Sequence, residues 1–260
     1  MKKVALITGA SSGIGREMAK IHAAKGGDLV VVARSENKLK ELKEDLESKH
    51  KGIAVHVVIK NLNGADAAKE VYDEVKRAGV SVDYLINNAG FGGQGYFHER
   101  RWEDDLLMMN LNMVALTALT RFYLPEMVAR NEGRILNVSS TASLLPGPLQ
   151  SVYYATKAYV TSFSNGLVGE LEGTNVTVSA LLPGATDTGF AKTSGMDKTE
   201  LFSNTFSADV VAKAGYEGML QGKMNIMAGL TGSQKALMYM LPFIPKKMLL
   251  KQIKAGQEVK

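Results

Sequence analysis

Short apolar runs rich in β-branched residues alternate with longer amphipathic stretches along most of the chain. This alternation is typical of β-α-β units, which place parallel strands in one sheet and the connecting helices on its faces. The predicted strands lie at 3–8, 29–33, 54–58, 83–87, 134–138, 175–181 and 223–227. The predicted helices lie at 14–25, 36–49, 64–78, 102–130, 151–172 and 208–221. Because such crossovers are right-handed, we predict an α/β fold, a doubly wound parallel sheet of about seven strands with helices on both faces.

The length of 260 residues fits a single domain of this kind. We expect a nucleotide-binding half at 1–130, a catalytic half at 131–229 and a basic tail at 230–260. Residues 189–207 show no clear period and mix Gly, Lys, Ser and Thr with Phe, Met and Leu. Long loops in compact domains often cover active sites, so we predict a lid here, although simple disorder would give the same pattern.

Composition excludes several classes of site. The chain has no cysteine, and its four histidines are scattered without the spacing of metal ligands, so no metal is expected. No apolar run approaches the ~18 residues that a membrane span needs, and the N-terminal run is too short for a signal peptide, so a cytoplasmic protein is expected. The net charge of +5 comes from 228–260, which holds six Lys and one Glu, and the rest has 25 basic and 25 acidic residues. Nucleic-acid binding is therefore not expected.

A glycine-rich turn joins the first predicted strand to the first helix. It reads Thr8-Gly9-Ala10-Ser11-Ser12-Gly13-Ile14-Gly15. Glycines allow a tight turn and let the backbone approach a pyrophosphate, whose charge meets the N–H groups and dipole of the helix N-terminus. Three glycines can also serve a plain strand-to-helix turn, but their position after the first strand favours a nucleotide site. The predicted contacts are Gly9, Ser11, Ser12, Gly13, Ile14 and Gly15.

The residues after the second predicted strand indicate which dinucleotide binds. NAD-binding sites place a carboxylate here for the ribose 2′-hydroxyl, whereas a 2′-phosphate needs a cation. This chain has Arg34 and Ser35 after the strand and Lys38 one turn later. We therefore predict NADP(H) in preference to NAD(H). The alternative, that these are merely solvated charges, is weaker because cations are disfavoured at a helix N-terminus.

Tyr153 and Lys157 form a candidate acid/base pair. Four residues apart on a helix, their side chains leave the same face and can act on one group. A nearby cation favours the phenolate, so Lys157 is predicted to lower the pKa of Tyr153 and make it an acid/base. The position four residues after Tyr154 is Ala158, which offers no charge. A Tyr-x-x-x-Lys pair taken alone is more often a solvated helix face.

With these features, the chain resembles the short-chain dehydrogenase/reductase family over essentially its whole length. The matching motifs are Thr8-Gly9-x-x-x-Gly13-x-Gly15, Asn87-Asn88-Ala89-Gly90, Ser140 thirteen residues before Tyr153, Tyr153-x-x-x-Lys157 and Pro183-Gly184. Their joint occurrence in this order is specific to the family. The predicted doubly wound sheet is accordingly Rossmann-like.

The resemblance implies roles for further residues. Asn110, in preference to Asn112, would complete an Asn-Ser-Tyr-Lys tetrad, and Ser140, not Ser139, would be the catalytic serine. The cofactor would also contact Asn88, Ala89, Gly90, Pro183, Gly184, Thr186 and Thr188, besides Tyr153 and Lys157. Asn61 and Leu62 stand where many members have Asp beside the adenine. Ser12 stands where NADP-preferring relatives often have a second basic residue, so the predicted preference depends on Arg34 and its neighbours.

The implied activity is NADPH-dependent reduction of a carbonyl compound, or the reverse oxidation of an alcohol. Tyr153 would donate the proton, Ser140 would bind the developing alkoxide, Lys157 would hold the nicotinamide ribose and Asn110 would support a proton path. An apolar pocket with a small steroid-like, 3-oxoacyl or other apolar substrate is expected from Leu144, Leu145, Pro146, Leu149 and the lid's Phe and Met residues. The alternatives are a catalytically silent dinucleotide-sensing protein and a scaffold acting through its long helices.

Two predictions concern partners. The resemblance implies a homo-oligomer, a dimer or tetramer, built on 102–130 and 151–172, although Leu116, Leu119, Phe163 and Leu167 would equally pack on the sheet. In the tail, 246–254 is predicted to form a short basic amphipathic helix. We expect it to cover the protein's own apolar surface. The alternative is weak peripheral contact with an anionic membrane.

Overall fold

A seven-stranded parallel sheet forms the centre of the computed structural model, which describes residues 2–197, 199, 202 and 204–257. The strand order is β3-β2-β1-β4-β5-β6-β9, so the chain starts in the middle of the sheet and winds outward in both directions. The sheet strands are β1 (Val4–Thr8), β2 (Asp28–Ala33), β3 (Val55–Ile59), β4 (Tyr84–Asn87), β5 (Gly133–Val138), β6 (Val176–Pro183) and β9 (Asn225–Ala228). This confirms the predicted Rossmann-like sheet.

The helices that cover the sheet begin and end close to their predicted bounds. They are α1 (Gly13–Ala24), α2 (Glu36–Lys49), α3 (Ala67–Arg77), α4 (Trp102–Met109), α5 (Leu116–Ala129), α6 (Ser151–Glu170) and α8 (Ala208–Leu220). The predicted helix 102–130 is interrupted by a π-helical turn at Asn110–Ala115 between α4 and α5. A π turn holds more residues than an α turn and is often found at functional sites, so it changes which side chains face inward.

Two apolar cores lie on opposite faces of the sheet, because successive strand residues point to opposite sides. In β2, Leu29 and Val31 pack in the core shared with α1, α2 and α8, whereas Val30 and Val32 pack in the core shared with α3, α5 and α6. All four side chains are almost fully buried, and burying each stabilises the fold by roughly 1.5–3 kcal/mol. The buried strands therefore read as continuous apolar runs, as in other parallel sheets.

A chain of buried side-chain hydrogen bonds crosses the sheet beneath the carboxyl ends of its central strands. Asn87 at the end of β4 donates to Asn137 Oδ1 of β5 at 2.9 Å and to Thr120 Oγ1 of α5 at 3.1 Å. Asn137 in turn donates to Ser164 Oγ of α6 at 2.9 Å. We refer to Asn87, Thr120, Asn137 and Ser164 as the amide chain. It ties two strands to the two helices on one face.

The residues after β6 contain elements that the sequence did not predict. The short strands β7 (Thr186–Asp187) and β8 (Phe206–Ser207) pair in parallel, and α7 (Phe190–Ser194) lies between them. The predicted lid at 189–207 thus begins and ends in regular structure, while Leu201 lies outside the described residues. The chain closes with α9 (Gly232–Met240), a 3₁₀ turn (Leu241–Phe243) and α10 (Lys246–Gln257), of which only α10 was predicted.

The residues named for a subunit interface pack inside this chain. Leu116, Leu119 and Leu167 are buried against the sheet, and Phe163 packs beside them. For these four residues the structure supports the alternative that they pack on the sheet. The exposed large apolar side chains on the same stretches, which remain candidates, are Trp102, Leu106, Leu107, Val114, Val128 and Tyr159. Assembly into a dimer or tetramer stays a prediction.

Candidate active site

A cavity of about 1040 Å³ lies along the carboxyl ends of the strands. Open α/β sheets bind ligands at this edge, where the strand order reverses. Of the residues predicted to bind the cofactor, all except Gly15 line this cavity. The structure therefore brings together segments that are far apart in the sequence, from Gly9 to Thr188.

The glycine loop leaves no room for side chains at two of its positions. Gly9 has φ +66°, and a Cβ there would lie 2.8 Å from the Asn88 amide nitrogen. A Cβ on Gly15 would collide with the same amide, so Gly15 serves close packing beneath the loop. Asn88 donates to Thr8 O at 2.9 Å, and its own N–H donates to Thr8 Oγ1 at 3.0 Å. Asn88 thus fixes the end of β1 against the end of β4, which presents the loop's backbone to the cavity.

The mouth of the cavity at the end of β2 is cationic. Arg34, Ser35 and Lys38 line it, and β2 ends at Ala33 without a carboxylate. The nearest acidic residue in sequence, Glu36, pairs with Lys40 at 2.7 Å one turn along α2. The carboxylate of Glu36 therefore pairs with Lys40 and not with Arg34 or Lys38. A phosphate in this mouth would meet the positive charge of Arg34 and Lys38.

Ser140, Tyr153 and Lys157 meet at the base of the cavity, where β5 ends and α6 passes across it. Ser140 follows β5, caps a 3₁₀ turn by accepting from Ala142 N at 3.1 Å, and hydrogen-bonds the Tyr153 phenol. Lys157 Nζ donates to Val138 O at 2.9 Å and lies 5.8 Å from the centre of the Tyr153 ring. The spacing of Tyr153 and Lys157 on α6 brings both to one face, as predicted.

Burial dominates the electrostatics of this pair. Tyr153 and Lys157 are 7% and 5% exposed. Burial raises the pKa of Tyr153 far above its usual 10, opposed by the hydrogen bond from Ser140, and lowers the pKa of Lys157 from 10.5 to about 8. The predicted lowering of the Tyr153 pKa is therefore corrected, because loss of hydration on burial is the largest influence on this phenol. In this state Tyr153 holds its proton.

The neighbouring serine is committed to structure. Ser139 Oγ donates to Lys157 O at 2.9 Å and shares a hydrogen bond of 2.7 Å with Thr161 Oγ1. Both partners are on α6, so Ser139 fastens that helix to the end of β5. This leaves Ser140 as the serine whose hydroxyl contacts Tyr153, which agrees with the expectation from the family resemblance.

The structure places Asn112, not Asn110, beside the lysine. Asn112 is 1% exposed, accepts from Phe91 N at 3.1 Å, and donates to Phe91 O at 3.0 Å and to Thr156 Oγ1 at 3.1 Å. A Cβ on Gly90 would lie 3.0 Å from Asn112 Oδ1 and 3.4 Å from Lys157 Nζ, so both groups border the same glycine. Asn112 therefore joins the loop after β4 to the helix that carries Tyr153.

Asn110 is two residues earlier in the π turn and is only partly buried. Residues two apart on a helix point to different faces, so the two asparagines cannot both face the lysine. Asn110 does not line the cavity. The expectation that Asn110 joins the tetrad is corrected to Asn112.

Replacing Asn112 tests this assignment. Asn112→Ala removes the partners of the part-buried Phe91 N–H and C=O groups, and each group left unsatisfied costs roughly 1–3 kcal/mol. We expect the free energy of unfolding to fall by about 3 kcal/mol, and turnover to fall with it as the loop after β4 loosens. Asn110→Ala, the matched control, should change the free energy of unfolding by less than about 0.5 kcal/mol. Urea unfolding and steady-state kinetics of both variants decide it, and an equal loss in the two would contradict the assignment.

The other end of the cavity is mainly apolar. Among the residues expected there, Leu145, Phe190, Met196 and Phe202 line the cavity, whereas Leu144, Pro146 and Leu149 do not. The Phe190 ring lies 5.4 Å from the Tyr153 ring and 6.3 Å from the Phe202 ring. The first residues of the predicted lid therefore pack directly over the tyrosine.

Sequence reasoning missed two glutamines at this end. Gln150 is 2% exposed, lines the cavity, and neither its Nε2 nor its Oε1 has a hydrogen-bond partner among the described residues. Gln257, also 2% exposed, donates to Tyr154 Oη at 2.6 Å. The position of Gln150 three residues before Tyr153 was a usable signal. The contact between Gln257 and Tyr154 joins residues 103 apart and leaves no local signal.

Comparison with known proteins agrees with this geometry. A family model described as short chain dehydrogenase matches residues 3–199. The very-long-chain 3-oxoacyl-CoA reductase of Rattus norvegicus is 31% identical over 224 residues, which cover 84% of this chain and 70% of that protein. The chain spans 58% to 70% of the length of the first curated relatives it matches.

Two solved structures are similar over almost the whole chain. A short-chain dehydrogenase from Sphingobium yanoikuyae in complex with NADPH has a TM-score of 0.81 and 32% identity, covering 90% of this chain and 91% of that one. A short chain dehydrogenase/reductase from Burkholderia phymatum in complex with NAD has a TM-score of 0.82 and 25% identity, covering 100% of this chain and 96% of that one. Relatives of this fold therefore include complexes with either dinucleotide.

Proposed function

The chain belongs to the short-chain dehydrogenase family of oxidoreductases, which act on CH-OH and C=O groups, and from this premise we propose that it is an NADPH-dependent reductase of apolar 3-oxoacyl compounds. The observation that carries the proposal is the cluster of Ser140 with the buried Tyr153 and Lys157, at the junction between a cationic mouth and an apolar end of one cavity. A protein that only sensed a dinucleotide would have no use for a phenol held protonated there. That alternative is not favoured.

The residues present fit a bound NADP(H). Gly9 and Gly13 have positive φ and line the cavity, so the backbone rather than side chains faces the ligand. Arg34, Ser35 and Lys38 would hold the 2′-phosphate, Asn61 and Leu62 would border the adenine, and Thr186 and Thr188 would border the nicotinamide. When bound, the cofactor supplies the hydride. The preference for NADP(H) over NAD(H) is part of the proposal and depends on Arg34.

The chain's own groups handle the proton and the oxygen. The Tyr153 phenol is held protonated by burial and donates its proton to the carbonyl oxygen as reduction proceeds. Ser140 Oγ, already in contact with that phenol, donates a hydrogen bond to the same oxygen and limits its charge. Lys157, whose pKa is about 8, remains charged at neutral pH and stabilises the phenolate that results. Phe190 excludes water from above the ring.

The proposed substrate class is argued from the residues that line the second end of the cavity. Phe91, Leu107, Leu145, Met196, Phe202 and Met238 give the substrate end apolar walls. Gln150 is the exception, because a buried amide without partners costs roughly 1–3 kcal/mol unless a ligand satisfies it. A 3-oxoacyl thioester has a second carbonyl close to the one reduced, as well as an apolar chain. The substrate named for the rat relative has the same chemistry, which supports this class over a simple ketone.

A comparison of two substrates tests the role of Gln150. We expect Gln150→Leu to raise the KM for a long-chain 3-oxoacyl-CoA by about 10-fold, because one hydrogen bond to the second carbonyl is lost. The KM for a long-chain methyl ketone, which has one carbonyl, should stay within about twofold. Loss of NADPH absorbance measures both reactions. Gln221→Leu, an exposed amide beyond α8, is the matched control and should change neither value.

Two outcomes would contradict different parts of the proposal. If the unmodified protein consumes NADPH with neither substrate, the reductase assignment fails. If it reduces both substrates and Gln150→Leu raises both KM values equally, the enzyme assignment stands and the 3-oxoacyl class does not.

A further inference from the structure

The last two helices leave an apolar surface uncovered. No residue of α9 is buried, although the run from Ala236 to Met240 is apolar apart from the Tyr239 hydroxyl. Six of the seventeen large apolar side chains found exposed in the described residues lie between 237 and 250. They are Leu237, Tyr239, Met240, Phe243, Met248 and Leu250. We call these six side chains the terminal apolar patch. Exposure of this much apolar surface in one short segment is typical of a docking site.

The segment that carries the patch has lysines but no acidic side chains. Residues 232–257 contain five lysines and no carboxylate. The whole chain has 31 basic and 26 acidic residues, and 228–260 holds six of the basic and one of the acidic ones, so the remainder has 25 of each. The charge of the protein is therefore concentrated beside the patch. An anionic partner surface would complement both features.

The opposite side of the segment is already committed to this chain. Leu249 and Gln257 are buried, and Gln257 donates to the buried Tyr154 of α6, while Gln94 donates to Gln257 O. The expected covering role of α10 is thus carried by its inner face. Because these contacts hold the inner face of α10, Met248 and Leu250 on that helix are left exposed, as are the patch residues of α9 and the 3₁₀ turn. The patch faces outward in the folded chain.

We propose that the terminal apolar patch and its lysines dock this protein on an anionic lipid bilayer. A second copy of this chain is a poor occupant, because a two-fold contact would bring the same lysine-rich surfaces together with no carboxylate in the segment to pair with them. A bilayer with anionic headgroups supplies the opposite charge, and Phe, Tyr, Met and Leu side chains enter its interface. No helix in the described part of the chain is long and apolar enough to cross a membrane, so the contact is peripheral.

Docking by this surface would place the cavity at the membrane. Met238 lies between the exposed Leu237 and Tyr239, is partly buried, and lines the substrate end of the cavity. One residue of this short helix thus lines the cavity, while its two neighbours are exposed to solvent. The docking inference stands on the patch and the charges alone, so it is independent of which substrate the enzyme reduces.

Vesicle sedimentation with the full-length protein tests the proposal. We expect the protein to sediment with vesicles of equal parts phosphatidylglycerol and phosphatidylcholine at physiological salt, and not with vesicles of phosphatidylcholine alone. Lys246→Glu combined with Lys247→Glu should lower the partition coefficient by at least about 10-fold, since each lysine near an anionic surface contributes about a factor of five. Tyr239→Ser combined with Phe243→Ser should lower it several-fold by removing the exposed aromatic groups, which are 69% and 79% exposed.

Matched variants elsewhere on the surface separate docking by this patch from nonspecific effects of net charge and of exposed apolar side chains on vesicle binding. Lys51→Glu with Lys223→Glu makes the same charge change, and Trp102→Ser with Met224→Ser removes comparable exposed apolar groups. Neither control should lower vesicle binding by more than about twofold. Thermal unfolding in buffer should be the same for all variants. Equal losses in the control and patch variants would overturn the proposal.

Two further results would overturn it. The first is failure of the unmodified protein to sediment with the anionic vesicles. The second is a fall in the solution mass of the Tyr239→Ser, Phe243→Ser variant, by light scattering, while its vesicle binding is unchanged. That result would identify a second copy of this chain as the occupant of the patch.

Discussion

Turnover of the Tyr153→Phe variant is expected to be lower than that of the unmodified enzyme by at least about 100-fold, the usual effect of losing a general acid. Phenylalanine keeps the ring contact with Phe190 but removes the hydroxyl that hydrogen-bonds Ser140. The cationic mouth and glycine loop are untouched, so NADPH affinity should change by less than about threefold. Stopped-flow measurement of a single turnover, with fluorescence titration of NADPH, separates the chemical step from binding.

Tyr154→Phe provides the matched control. Tyr154 is equally buried and lies 6.1 Å from the Tyr153 ring, but its hydroxyl accepts from Gln257 rather than contacting Ser140. Removing it should lower thermal stability, because Gln257 loses its partner, and should leave the chemical step within about threefold of normal. A loss of the chemical step in Tyr154→Phe equal to that in Tyr153→Phe would contradict the assignment of the proton donor.

Arg34→Asp is expected to change cofactor choice by the next largest factor. The substitution replaces a charge-assisted hydrogen bond to the 2′-phosphate, worth roughly 1.5–3 kcal/mol, with a repulsion, and it offers a carboxylate to the ribose of NAD. The ratio of kcat/KM for NADPH to that for NADH should fall by about 100-fold or more. Steady-state kinetics with the two cofactors at a fixed ketone concentration measure this ratio directly.

Lys40→Asp makes the same charge change six residues along the chain. Lys40 is on α2, pairs with Glu36 and does not line the cavity. It should leave the cofactor ratio within about twofold, since exposed charges beyond the first contacts are screened by salt. An unchanged ratio in Arg34→Asp would show that the 2′-phosphate is bound elsewhere. An equal change in Lys40→Asp would show that the cofactor ratio responds only to the net charge of this region.

The sheet and its helices could be predicted because their sequence signals are local. Each β-strand is a short run of residues such as Leu29–Val32 that is apolar on both faces, and each helix repeats its apolar residues every three or four positions. The pair β7 and β8 could not be predicted in this way. Each strand has only two residues, and the two strands pair through Thr186 and Phe206, which are separated by the residues between them in the sequence.

The part of the catalytic cluster that could be predicted is the part where a sequence spacing determines the relative position of two side chains. Tyr153 and Lys157 share one α-helix, so four residues give one turn. The choice between Asn110 and Asn112 was made from the family pattern, and it failed because the π-helical turn at Asn110–Ala115 places Asn112 beside Lys157. The burial that raises the Tyr153 pKa was also invisible, because it comes from residues such as Phe190 that are distant in sequence.

In the tail, one feature could be predicted from the sequence and two could not. The run from Lys246 onward has an amphipathic helical pattern, and Leu249 does pack inward. Nothing local indicates that Gln257 reaches Tyr154, or that α9 remains uncovered. Both depend on where the segment meets the body of the protein.

The amide chain limits how this sequence can diverge. Replacing Asn87 or Asn137 alone with an apolar residue would leave its buried partner unsatisfied, at a cost of roughly 1–3 kcal/mol, whereas replacing both by apolar groups of similar shape can be nearly neutral. Total domain stability is only about 5–15 kcal/mol, so a lineage that changes one position first passes through a weakened intermediate. Homologues are therefore expected to change the two asparagines together, as a coupled pair, rather than one at a time.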